Sequence, residues 1–468
     1  MPPSPVFEPV MLPCGKVVQN RLCKVALYEH VANFRGGGPN DHHFSLYEAW
    51  SQGTPGYGLV FTGNTQVSDE HLTLGRDITI PHQLSDETLE PYKKLANAIH
   101  SNSTSLAIMQ LSHTGRQSSN LITGRLKAPL APSAVPLGGD IPWSDFGKRF
   151  FYWAMFRTPT PMSTEDIGNV VSRFVMGAKT AAQSGFDGIQ LHAAHGYLLA
   201  QFLSPKTNKR TDEYAVTNEG GELRILRFLV DEVRKVVPKD FIVGVKLNAG
   251  DYTTAASDDP TLTPKEERAL GHMKQIASWG GVDFIEISGG DYETVEFLET
   301  RDDEEGASSK PISARQAFFA HISSKAIDVL ASLPRTPTSP PVPLVMLTGG
   351  LKSPAALHSA LIHNHAQLLG IGRAAVLTPN LPEVLDKLAK EKDPSEWPAA
   401  SFAPDPVIEA PSFLPKAPLV GAGANMSWYS LHMRFMGDRI RGKPAPQEYP
   451  DYSIDGTKAV GKLWWWLA

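Results

Sequence analysis

The stretch GFDGIQLHAAHGYLLAQFLSPKTNKRTDEY, residues 185–214, decides how the chain is read. Its residues 186–191 form a short apolar run directly after a glycine, the pattern of a parallel strand buried on both faces. Polar, ring-bearing side chains follow at once: His192, His195 and Tyr197. Parallel α/β enzymes build their sites on strand tips, so a strand that ends this way marks a candidate active site.

Working outward, the same unit recurs on both sides. Short apolar strands are predicted at 21–27 (RLCKVAL), 59–62, 106–111, 188–191, 242–247, 284–287, 344–347 and 368–371. Helical spacing follows them at 43–50, 87–100, 164–183, 222–236, 264–279, 314–333, 354–363 and 381–390. Ser163 before Glu165-Asp166, and Thr263 before Pro264, are helix-start signals. Eight strand–helix units predict a (β/α)₈ TIM barrel within residues 1–392. An open doubly wound sheet would need a glycine-rich turn between strand and helix. The nearest candidate, Gly56-Tyr57-Gly58, precedes a strand instead.

Two segments break the rhythm. Residues 117–162 follow the third strand and are rich in Pro, Gly and aromatics, with 146–156 carrying four Phe, a Tyr and a Trp. An insertion there should lie over the barrel mouth, either as a hairpin lid or as an aromatic surface loop. Residues 393–468 are Pro-rich, with helical spacing only around 428–435 and a tryptophan-rich end at 463–468. They are expected to pack on the barrel or at a contact between subunits.

Composition narrows the function. Net charge is −5, from 44 basic and 49 acidic residues, with no dense basic run to draw nucleic acid. Two cysteines, Cys14 and Cys23, cannot supply a disulfide framework or a four-cysteine cluster. No run of about 18 apolar residues is present, so no membrane-spanning helix is expected. The start MPPSPVFEPV lacks the basic and apolar regions of a signal peptide, and a cytoplasmic enzyme is expected. His192 and His195 admit three readings: metal ligands, ordinary strand-end residues, or donors to a substrate oxygen. No third metal ligand stands near them in sequence.

The blocks HAAHGYLLAQFLSP (192–205) and TNKRTDEY (207–214) resemble the Old Yellow Enzyme family of FMN-dependent ene-reductases, in its fungal-type branch. Other blocks agree in order: NRL (20–22), QLSHTGRQ (110–117), GVKLNAGDY (244–252), FIEISGG (284–290), TGG (348–350) and GIGRAAVLTPNLP (370–382). The resemblance implies FMN as cofactor and NADPH or NADH as reductant. It also implies that His192 and His195 grip the carbonyl of an electron-poor alkene, and that Tyr197 protonates the carbon beside it. Gly349, Gly350, Gly372 and Arg373 would hold the phosphate, which favours bare backbone N–H groups and a cation. Gln110 and Lys246 would face the pyrimidine edge of the ring, where a positive charge favours the reduced flavin.

The chain departs from the family at several positions. Lys246 stands where Arg is usual, and so keeps the charge without the planar fork. Ala26-Leu27-Tyr28 puts a tyrosine where a small residue is usual near the reactive edge. Asn64 replaces Ala or Gly and would approach the ring by its backbone, and Ala215-Val216 replaces a pair of glycines. The function expected is NAD(P)H-driven reduction of the C=C bond of α,β-unsaturated carbonyl compounds. The alternatives are alkene isomerisation, quinone reduction, or a non-catalytic flavin-binding barrel. A homo-oligomer is compatible with all of them.

Overall fold

In the computed structural model, which describes residues 4–102, 104–119, 127–249, 264–288, 314–408 and 418–465, every apolar run above is a strand. These are β1 (Leu22–Lys24), β2 (Leu59–Gln66), β3 (Leu106–Ser112), β4 (Gly188–Ala193), β5 (Ile242–Asn248), β6 (Phe284–Ser288), β7 (Leu344–Thr348) and β8 (Leu368–Ile371). They pair in parallel in chain order, and β8 returns to β1 through Leu369↔Leu22, which closes the barrel. The helices outside it are α1 (Asp41–Ser51), α2 (Asp86–Ile99), α3 (Thr164–Gln183), α4 (Arg224–Val236), α5 (Pro264–Trp279), α6 (Ala314–Ala331), α7 (Pro354–Ile362) and α8 (Leu381–Glu391). The start of α3 is a reciprocal cap: Asp166 N–H donates to Ser163 Oγ at 3.1 Å, and Ser163 N–H to the Asp166 carboxylate at 2.8 Å. The blocks at 250–252 and 289–290 and the Thr263 start signal lie outside the described residues, as do the side chains of the terminal tryptophans.

The barrel interior is apolar in its lower half. Cys23, Leu59, Phe61, Ile108, Ile242, Phe284, Met346 and Leu368 fill it, and Leu12 and Val18 seal the floor from a hairpin of Val10–Met11 on Val17–Val18. Gly244 is required there, because an added Cβ would lie 2.0 Å from the Phe284 ring. β1 is shorter than expected. Beyond Lys24 the chain bends outward, and Glu29 accepts from the Gly63 N–H at 3.0 Å and from the Tyr47 hydroxyl. Gly63 lies in an irregularity of β2, where the register shifts between Phe61 and Asn64. Lys24 is buried behind it, donating to Phe61 O at 3.0 Å and lying 3.8 Å from the Trp50 ring. Burial pushes the Lys24 ammonium down and the Glu29 carboxyl up.

The two irregular segments differ from expectation. In the aromatic insert Phe146–Met155 is an α-helix, and Leu130–Ala131 pairs in parallel with Thr160–Pro161. Tyr152 packs with Leu137 and Phe156, while Phe146, Phe150 and Trp153 share an exposed side at helical spacing. The C-terminal part carries a 23-residue helix, Pro418–Ile440, and a shorter one, Gly456–Trp465. The first packs on α1, where its Gly437 comes close to Ser45. Among the described residues, no helix is long and apolar enough to cross a membrane.

Four buried histidines, His30, His43, His113 and His192, are held well below their usual pKa, in each case chiefly by burial. They stay neutral in the folded chain, whereas an unfolded histidine takes a proton near pH 6.5. Stability is therefore intact above about pH 6.5 and falls below it, by up to roughly 1.4 kcal/mol per pH unit for each histidine. Asp77, pushed up to about 6 by burial, works against one of them at acid pH. Urea unfolding at pH 7.5 and pH 5 should show the lower midpoint at pH 5. For Gly244→Ala, overpacking against Phe284 should cost about 2–3 kcal/mol in the same assay. A cost under about 0.5 kcal/mol would contradict the close approach.

Candidate active site

Above the apolar half lies a polar layer built by alternate residues of the strands, which point inward on a period of two. Register sets Gln110 beside Gln190, and Lys246 level with both His192 and Glu286. Gln110 Nε2 donates to Gln190 Oε1 at 2.6 Å, and Gln190 Nε2 to Glu286 Oε2 at 2.7 Å. The other oxygen of Glu286 takes Lys246 Nζ and Thr348 Oγ1, each at 2.9 Å. All but Thr348 are almost wholly buried. The cation expected at Lys246 thus arrives with a carboxylate attached. Gln190 and Glu286 were missed by the sequence reading, although both fall in quoted blocks, DGIQLHA and FIEIS, at inward positions.

At the end of β4, beside Lys246 in the strand register, stands His192. His192 Nδ1 accepts from the Ala194 N–H at 3.3 Å, so the proton of the neutral ring sits on Nε2 as a donor. Burial, reinforced by the charge of Lys246, keeps this ring neutral. The His195 ring stands edge-on to it at 5.0 Å, and the Tyr197 ring edge-on at 4.7 Å. His195 adopts a left-handed backbone (φ 56°) that few non-glycine residues take. Asn248 Oδ1 accepts its N–H at 3.0 Å, Gln117 Nε2 donates to its carbonyl at 2.9 Å, and its Nε2 lies 2.8 Å from Ser288 Oγ. The three residues predicted as catalytic are therefore together. Among the described residues, no cluster of three or more metal-ligating side chains adjoins them.

Asn64 meets this group through its side chain rather than its backbone alone: Nδ2 donates to the Tyr197 hydroxyl at 3.2 Å. Ala26, Leu27 and Tyr28 are partly exposed at the end of β1. The Tyr28 hydroxyl donates to Gly75 O at 2.7 Å, in the loop after β2, and its ring packs on His30. On the other side of β1, Gly349 (φ 121°) and Gly350 (φ 72°) follow β7 in conformations that suit glycine. Gly372 caps the short helix Arg373–Leu377 after β8. Arg373 Nη1 is buried and has no hydrogen-bond partner among the described residues.

An orphaned guanidinium nitrogen beside two glycine turns and a helix start is a site built for an anion. The donors at this corner suit a phosphate, and the Gln110–Lys246 layer offers hydrogen-bonding groups of the kind a flavin ring would need. In barrels of this type a phosphate site commonly lies after strands seven and eight, where Gly349, Gly350 and Arg373 stand.

Comparison with known proteins identifies the family. Residues 5–295 match the NADH:flavin oxidoreductase / NADH oxidase family. The chain is 36% identical over 380 residues to the NADH-dependent flavin oxidoreductase iliE of Neonectria sp. (strain DH2), covering 80% of this chain and 46% of that protein. It is 32% identical over 401 residues to iccE of Talaromyces variabilis, also an NADH-dependent flavin oxidoreductase, covering 83% and 90%. Among solved structures, an Old Yellow Enzyme homologue from Zymomonas mobilis superposes with a TM-score of 0.59 at 21% identity, covering 82% of this chain and 93% of that one. Morphinone reductase superposes with a TM-score of 0.61 at 20% identity, covering 86% and 92%. The chain belongs to the NADH:flavin oxidoreductase / NADH oxidase family and is an FMN-dependent oxidoreductase reduced by NADH or NADPH.

Proposed function

We propose that the protein reduces the activated C=C bond of α,β-unsaturated carbonyl compounds. The observation that carries this reading is the convergence of a neutral His192, His195 and Tyr197 at the end of β4, with Lys246 beside His192 in the strand register. Bound FMN supplies the hydride that NADH or NADPH has delivered. His192 Nε2–H donates to the substrate carbonyl oxygen and draws charge from the double bond. Ser288 Oγ lies 2.8 Å from His195 Nε2 and orients the ring, which serves the same oxygen as a second donor. Asn64 donates to the Tyr197 oxygen and orients the hydroxyl, which gives its proton to the α-carbon. Gln110 and Lys246 hold the pyrimidine edge, Asn64 and residues Ala26, Leu27 and Tyr28 border the ring, and Gly349, Gly350, Gly372 and Arg373 take the phosphate.

The test is flavin bleaching by NADH or NADPH under nitrogen, followed by cyclohexenone. Return of the yellow colour is expected. A flavin that bleaches and stays bleached with every enone tried would favour isomerisation or quinone reduction. His192→Ala should lower enone turnover by about 10²–10³-fold and weaken the charge-transfer band of bound phenols. An unchanged band would remove His192 as the oxygen ligand. Glu286→Gln leaves the Lys246 charge unmatched, so the flavin midpoint potential should rise. A fall, or no change, would show that the pair has no electrostatic hold on the ring.

A further inference from the structure

Residues 418–452 lie beyond the family match and beyond every residue given a role above. Two successive side chains of the helix Pro418–Ile440 reach different edges of the site. Ser430 Oγ donates to Tyr28 O at 2.9 Å, at the loop that follows β1. The buried Tyr429 hydroxyl lies within electrostatic reach of Arg373, after β8. Farther along, the Tyr449 hydroxyl donates to Val376 O at 2.6 Å. The return segment that carries Tyr449 is itself pinned to the helix. Trp428 Nε1 donates to Ile454 O at 2.9 Å, His432 Nε2 accepts from the Asp451 N–H at 3.1 Å, and the His432 ring stacks on Trp428.

The short helix Arg373–Leu377 explains why these bonds matter. Five residues cannot sustain a helix alone, and its last carbonyls have no partners within it. Trp50 Nε1 from α1 fills Ala375 O at 2.8 Å, and Tyr449 fills Val376 O. Arg373 stands at the first turn of this externally held helix. The Tyr28 loop on the neighbouring strand has the same problem and the same remedy, a hydroxyl from the extension. A binding site held ready in this way spares the ligand the cost of ordering it.

We infer that the C-terminal extension is a clamp for the flavin, with Ser430 and Tyr449 as positioning residues that hold the Tyr28 loop and the Arg373 helix in register across the β8–β1 junction. The inference rests on FMN lying at this mouth, as in the proposed function. The experiment follows flavin release from the full-length holoenzyme, by the appearance of free FMN fluorescence after dilution. Ser430→Ala and Tyr449→Phe should each speed release about 5-fold, the effect of losing one net hydrogen bond, and the pair about 25-fold. Ile276→Val, on α5 across the barrel, is the control for general loosening and should leave release unchanged. The inference is overturned if both single variants release flavin at the parent rate, or if the control speeds release as much as they do. The single variants decide the matter even if the double variant fails to fold. Parent protein that carries no FMN at all would overturn both this inference and the function beneath it.

Discussion

A single buried ion pair sits where the barrel changes character. Below Lys246 and Glu286 the interior is hydrocarbon; above them it is histidine, asparagine, serine and tyrosine. Two charges taken out of water are costly unless their remaining hydrogen-bonding capacity is met. Here Gln190 and Thr348 complete the carboxylate, and Gln110 completes Gln190. The layer spans β3 to β7 and so ties five of the eight strands at one height. It also defines what an occupant of the mouth meets: a cation already balanced by an anion, in surroundings too dry to screen either.

The parallel barrel was legible because a strand covered on both faces is an uninterrupted apolar run, and eight such runs alternate with amphipathic ones. His192, His195 and Tyr197 were legible for a different reason: six residues of chain carry all three. What could not be read was anything that depended on a partner distant in sequence. Asn64 looked like a backbone contact until Tyr197, 133 residues away, met its side chain. Lys246 looked like a bare charge because nothing local to it names Glu286.

The misread segments have physical causes as well. Residues 418–425, PLVGAGAN, include two glycines and little amphipathic pattern, so their propensity argues against a helix. Packing of the helix against α1 overrides it, with Gly437 at the point of close approach to Ser45. In the aromatic insert, phenylalanine and tryptophan favour strands on average. Asp145 accepts from the Lys148 N–H at 3.2 Å and starts a helix there instead.

Behind the irregular turn of β2, Lys24 reaches Glu29 by way of the Tyr47 hydroxyl, and Glu29 in turn fastens the Gly63 amide. Each of these groups is tolerable in the interior only because the others are there. Such an arrangement restricts how the sequence can drift. Losing the lysine alone strands a carboxylate, and losing the glutamate alone strands an ammonium, so relatives should keep the trio intact or exchange it wholesale for a hydrocarbon filling.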